Sequence, residues 1–169
     1  MIRLVALVVF FLTSPALFAA KPPKSLLGIW EGTQETRYSR FSSVDPNGTS
    51  TVHLRSTWKV RGASYVWTER VFSSANGRLL GTRVITLKFN GEASIKATDG
   101  THFKGWWTYV KKHNKLVISG QVPDDTVSDG VLMFQNVIRI STDSYRIQGG
   151  TSAGVIGYIT SVSTVEQKQ

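Results

Sequence analysis

From Leu27 onward apolar residues alternate with polar ones at a period of two rather than 3.6, and no long stretch carries an amphipathic helix pattern. Successive side chains of a strand point to opposite faces, so this alternation commits the chain to an all-β fold whose sheet has one apolar face. About ten strands are expected, at Ile29–Tyr38, Thr51–Val60, Ser64–Ser73, Leu80–Lys88, Glu92–Ala97, Thr101–Lys112, Lys115–Gln121, Val131–Ile140, Ser144–Gln148 and Val155–Val162. Their connections are short and rich in Gly, Asn and Asp, which favours antiparallel hairpins in sequence order.

The turns sharpen this, because a slip of one residue would send a strand's whole apolar set to the wrong face. Ala75-Asn76-Gly77, Phe89-Asn90-Gly91 and Thr98-Asp99-Gly100 share a pattern. Two-residue turns at Asn76-Gly77 and Asn90-Gly91 would set Arg70 opposite Arg83 and Ile85 opposite Lys96. Three-residue loops with Gly in the left-handed position instead pair Trp67 with Ile85, Tyr65 with Leu87, Ile85 with Ile95, Leu87 with Ala93 and Ile95 with Phe103. They also bring Lys88 to Glu92 on the other face. A tight turn at Gly62-Ala63 sets Trp58 opposite Trp67, and one at His113-Asn114 sets Tyr109 opposite Ile118 and Trp107 opposite Gly120. An aromatic inner face and a basic outer face result. With no covering helix, an antiparallel up-and-down meander buries the inner face by curling into a barrel or half-open barrel. A two-sheet sandwich would need longer crossing connections.

The first 20 residues stand apart from this pattern. Arg3, the apolar run Leu4 to Leu12 and the small-residue stretch ending Ala19-Ala20 have the layout of a secretory signal peptide, so residues 1–20 are read as a leader and 21–169 as a single β-barrel domain. The apolar run is shorter than a membrane-spanning helix needs. The expected location is therefore secreted or periplasmic. Of the 20 Lys+Arg, Arg3 leaves with the leader, so 19 basic residues face 11 acidic ones, a net charge of +8. Outside the cytoplasm such a surplus speaks against a nucleic-acid partner. It serves solubility, or a weak contact with an anionic membrane or envelope surface.

Leu27-Gly28-Ile29-Trp30-Glu31-Gly32 opens the first strand, and its Gly-x-Trp start resembles that of the calycin barrels: lipocalins, fatty-acid-binding proteins, avidins and haem-carrying nitrobindins. Thr142-Asp143-Ser144-Tyr145 is similar to the lipocalin Thr-Asp-Tyr loop, with Ser144 inserted. The resemblance implies a ligand-holding barrel in which Trp30 closes one end. The chain departs from these families in having no lipocalin-type C-terminal helix, no two-helix lid and no His after His113 to serve as a late haem ligand.

Among the inward aromatics the register places a single opposite-charge pair, Glu69 and Arg83. A buried pair costs desolvation unless it is well hydrogen-bonded, so it invites a purpose: Arg83 holding a carboxylate or other polar head while Trp58, Tyr65, Trp67, Phe103, Trp107 and Tyr109 line an apolar body. The same pair also fits a half-solvated place at the barrel rim, where it is worth little. No catalytic constellation is recognisable. His53 and His102 fall on the outer face and His113 in a turn, which suggests neither a metal site nor a catalytic base. Asp124, Asp125 and Asp129 fail the calcium-loop pattern, with Val127 and Asn136 where ligands belong. Gly149 to Gly154 lacks the Lys and helix of a phosphate loop and reads as a flexible loop. No cofactor is expected. The function expected is non-enzymatic binding of a small hydrophobic or amphipathic ligand inside the barrel; the alternative is a solid-cored module that binds anionic surfaces through its basic exterior.

Overall fold

A computed structural model describes residues 21–40, 45–100, 102–123, 131–153 and 157–169. The expected leader, residues 1–20, and the Asp124-Asp125-Asp129 stretch lie outside them. The strands are β1 (Gly28–Tyr38), β2 (Thr49–Arg61), β3 (Ser64–Ser73), β4 (Leu79–Lys88), β5 (Glu92–Ala97), β6 (His102–Val110), β7 (Lys115–Pro123), β8 (Val131–Ile140), β9 (Ser144–Ala153) and β10 (Gly157–Lys168). Each pairs antiparallel with its neighbours in sequence, and β1 pairs with β10, so the meander closes into an up-and-down barrel. Closure removes the unpaired strand edges that an open sheet would leave.

The hairpin registers follow the turn chemistry. Gly77, Gly91 and Gly100 adopt φ of 69°, 92° and 89°. Trp67 pairs with Ile85 and Tyr65 with Leu87, Ile85 with Ile95, and Ile95 with Phe103, while Trp58 faces Trp67 across the Gly62-Ala63 turn. On the outer face Lys88 Nζ reaches Glu92 at 2.6 Å.

Three expectations need correction. The β6–β7 connection is not a two-residue turn: Lys111–His113 forms a 3-10 turn closed by Asn114 in the left-handed region. The longer link moves the register by two, so Tyr109 pairs with Leu116 and Trp107 with Ile118. A shift of two keeps the inner face intact, which is why the fold survives it. Second, Gly149 to Ala153 is strand, not loop. Glycine stands there because a Cβ on Gly149 would meet Asn136 Oδ1 at 2.1 Å and one on Gly150 would meet Thr160 O at 2.0 Å. Third, the last strand runs on to Lys168, since Val162, Thr164 and Glu166 keep the inward alternation with polar residues.

The barrel has one sealed end. The short 3-10 turn Lys24–Leu26 plugs it, with Leu26 fully buried and its carbonyl accepting a 2.9 Å bond from Trp30 Nε1. Lys168 lies 5.5 Å from the centre of the Trp30 ring. Above the plug the core is aromatic: Trp58 stacks on Trp67 at 4.5 Å, and Tyr145 meets Trp30 at 5.0 Å and both other indoles edge-on.

Candidate functional site

Beyond this packed half, the interior opens into a cavity of about 150 Å³. Its apolar wall comes from Trp67 and Ile85 on β3 and β4, Ile95 and Phe103 on β5 and β6, and Phe134 and Ile147 on β8 and β9. Alternation along each strand delivers these side chains inward at the same level, and Phe103 and Phe134 meet at 5.2 Å. Gln34, Glu69 and Arg83 supply polar groups from β1, β3 and β4, and Asn136, Thr151, Thr160 and Thr164 add others from β8, β9 and β10.

Glu69 and Arg83 are direct partners across β3 and β4, with Arg83 Nε 2.9 Å from Glu69 Oε2. Arg83 Nη2 donates to Gln34 Oε1 at 2.9 Å, tying the pair to β1. The Glu69 side chain is only 5% exposed, whereas that of Arg83 is 32% exposed. The guanidinium thus bridges a buried carboxylate and solvent, intermediate between the fully buried and the half-solvated placements that the register allows. Burial pushes the Glu69 pKa up, and the Arg83 charge and hydrogen bond offset part of that rise.

A second carboxylate lies beside this pair. Glu166 on β10 is fully buried, opposite Gly32 on β1 and Tyr145 on β9. Its pKa is raised to about 7, first by burial and then by the charge of Glu69; Tyr145, Ser56 and Arg83 act the other way. The Tyr145 hydroxyl is driven well above its usual range, chiefly by burial and next by Glu166. Both Glu166 oxygens, the Tyr145, Ser56 and Thr164 hydroxyls and the Trp58 and Trp67 indole nitrogens are buried without a hydrogen-bond partner of standard geometry. Buried polar atoms left this way are costly, so so many in one place mark a polar chamber in the barrel core.

Four of the eight residues expected to form a site line the cavity: Trp67, Glu69, Arg83 and Phe103. The other four belong to the packed half. Trp58 is wedged between Trp67 and Tyr145. Tyr65 rests on Phe89 and edge-on to Trp107, whose Nε1 donates to Lys88 O at 2.7 Å. Tyr109 donates to Asn114 Oδ1 at 2.5 Å, and Asn114 Nδ2 in turn donates to Ile140 O. These bonds lock the turn beside the sealed end and leave the rings no free face. Gln34, Tyr145, Thr164 and Glu166 escaped the sequence reading, although a period-two pattern from Val162 to Glu166 was there to follow.

A larger concavity of about 600 Å³ lies on the outer wall over β8, β9, β10 and β1. Its lining includes Arg37, Gln135, Gln148 and Ser163 on the solvent side of the sheet, so it encloses no space that a ligand could be buried in.

No protein-family model matches the chain, and no curated protein matches it by sequence. Among solved structures, the crystal structure of Rv2717c from M. tuberculosis superimposes with a TM-score of 0.63 over 86% of this chain and 94% of that one, at 14% sequence identity. A likeness at that identity is one of fold, and sites vary freely on a shared fold. The chain is therefore similar to Rv2717c in its barrel architecture.

Proposed function

We propose that the barrel binds a small amphipathic molecule in the interior cavity, its apolar body against Trp67, Ile85, Phe103 and Phe134 and its polar head on the Arg83–Glu69 pair. One observation carries this reading: an apolar cavity with an ion pair converging on one side, the usual make-up of a small-molecule site. Size narrows the class. Drug-sized ligands occupy roughly 300–1,000 Å³, and an apolar cavity near ~150 Å³ admits a ring the size of benzene. The ligand is thus a single ring or a short branched chain rather than a long lipid. The protein acts as a binder rather than an enzyme, because the head group meets a cation and a carboxylate already committed to each other. It does so outside the cytoplasm, on the strength of the leader.

A panel of aromatic and short-chain acids, amides and alcohols, followed by tryptophan fluorescence and thermal shift, tests the reading. Saturable binding is expected, weakened at least about tenfold by Arg83→Ala for acids, the loss of one charge-assisted contact. A panel with no saturable binder would overturn it.

A second reading concerns the outer face. Lys115, Arg139 and Arg146 stand in direct register across β7, β8 and β9, and none joins an ion pair among the described residues. Like charges placed opposite one another cost stability, and an anionic surface offsets that cost. Sedimentation with anionic vesicles is expected to be salt-sensitive and to fall with Arg139→Glu. Equal binding to neutral vesicles would sink this reading.

A further inference from the structure

The cavity and the cluster of buried polar groups beneath it adjoin and share residues. Trp67, Glu69 and Thr164 line the cavity, and the unpartnered atoms of Trp67 and Thr164 belong to the cluster as well. Glu166 follows Thr164 by two on the inner face of β10. The groups that face it are Tyr145 from β9, Ser56 from β2, Glu69 from β3 and Arg83 from β4; on β1, Gly32 stands opposite and brings no side chain. Two carboxylates therefore share one guanidinium. With both ionised, the core holds a net negative charge, and Arg83, the most exposed of the three, is the group a ligand meets from the mouth.

We propose that the interior site takes its ligand as an anion together with one proton from solvent, the anion seated at Arg83 and the proton held on the Glu69–Glu166 carboxylate pair. This rests on the interior-site reading above and adds the ligand's charge and its coupling to pH. A third negative charge in this low-dielectric space would face two carboxylates across one cation. Protonating one carboxylate restores the balance of the empty site; the Tyr145 and Ser56 hydroxyls beside Glu166 favour its ionised form, but burial and the Glu69 charge outweigh them and leave Glu166 ready to take the proton. Glu166 already titrates near neutrality in the empty barrel, so little is needed to keep it protonated. By linkage, proton uptake on binding makes affinity fall as pH rises.

Benzoate and its uncharged counterpart benzamide are suitable probes, with affinity read by titration calorimetry at pH 6 and pH 8. Benzoate is expected to bind about five- to tenfold more weakly at pH 8, as one proton taken up by a group with a free pKa near 7 requires. Benzamide is expected to show no such dependence. At pH 7, benzoate titrated in two buffers of different ionisation enthalpy should report uptake of a fraction of a proton, a measurement that needs no variant. Glu166→Gln should keep benzoate binding and flatten its pH dependence. His53, His102 and His113 are exposed on the outer face or in a turn and are shared by both probes. Benzoate affinity that is flat or rises with pH, or proton release on binding, overturns the coupling and leaves the site reading standing, provided benzamide binds. If neither probe displaces cavity resonances such as those of Phe103 or Ile85, the site reading falls and the coupling with it.

Discussion

Glu166 and Glu69 put two acids where the alternating pattern calls for apolar side chains, and their environments settle what each does. Glu69 has Arg83; Glu166 has burial and a like charge, which raise its pKa to about 7. A carboxyl whose folded pKa exceeds its unfolded value binds more protons when folded. Its contribution is fully present below the unfolded pKa of 4.5, declines as pH climbs to about 7 and is flat beyond. From this group alone the protein is expected to be on the order of 3 kcal/mol less stable at pH 8 than at pH 4. Denaturant unfolding of Glu166→Gln should lose that slope and match or exceed the native protein at pH 8. Arg83→Leu strands the buried Glu69 charge, and a loss of about 2–4 kcal/mol is expected at pH 8, shrinking as pH falls because burial favours the protonated form of Glu69. Adding Glu69→Gln should recover most of it; if the double variant is no better than the single, the pair is not what Arg83 serves. The Glu69–Arg83 pairing was legible in advance because the Ala75-Asn76-Gly77 loop pinned its register. Glu166 was not: it sits in a polar run, Thr164 to Gln169, that looks like a solvated tail until β1 is laid against it.

At the level of strands, sequence spoke most clearly where turns are tight. Trp58, Trp67, Ile85 and Ile95 form one cross-strand row, derivable from three loops without coordinates. It was less clear where backbone geometry does something the residue types do not announce. The Lys111–His113 turn consumes residues that alternation assigns to strand, and Gly149-Gly150 resembles a hinge while serving as a crowded strand. Such crowding also joins β6 to β7 at Gly105 and Gly120, which are direct partners. A Cβ on Gly105 would lie 2.0 Å from the Ser119 carbonyl oxygen, so the backbone itself must move. Gly105→Ala is expected to destabilise by about 1–3 kcal/mol through overpacking. Gly62→Ala, at a turn with open space and φ of 54°, should cost about 1 kcal/mol from backbone strain alone. Equal losses in urea unfolding would mean that crowding at the β6–β7 contact is not what requires glycine.

For the whole barrel, nine hairpin-type neighbours are local in sequence and one contact is not: β1 against β10. Joining strands so far apart in the chain carries the largest loop-closure cost, so the seam is expected to form after the hairpins. Val162 faces inward on β10, opposite Thr36 of β1. Val162→Ala should therefore raise the unfolding rate while leaving the refolding rate nearly unchanged; slower refolding by the full stability loss would place the seam in the folding nucleus instead. The up-and-down meander, inner aromatic face and basic exterior were readable from period and turns, whereas closure of β1 onto β10 was left open by them. Which half would be packed and which hollow was not, because that depends on how Trp30, Trp58, Trp67 and Tyr145 nest across the barrel from four different strands. The seam also decides where the chain can be held. Lys168 N donates to Asp143 O, Gln169 N to Ile29 O, and Lys21 lies over Phe89, all at the plugged end. A tether attached on either side of the barrel sequence would emerge at its base, so the barrel would stand on a support like a cup, with the mouth of its cavity facing away.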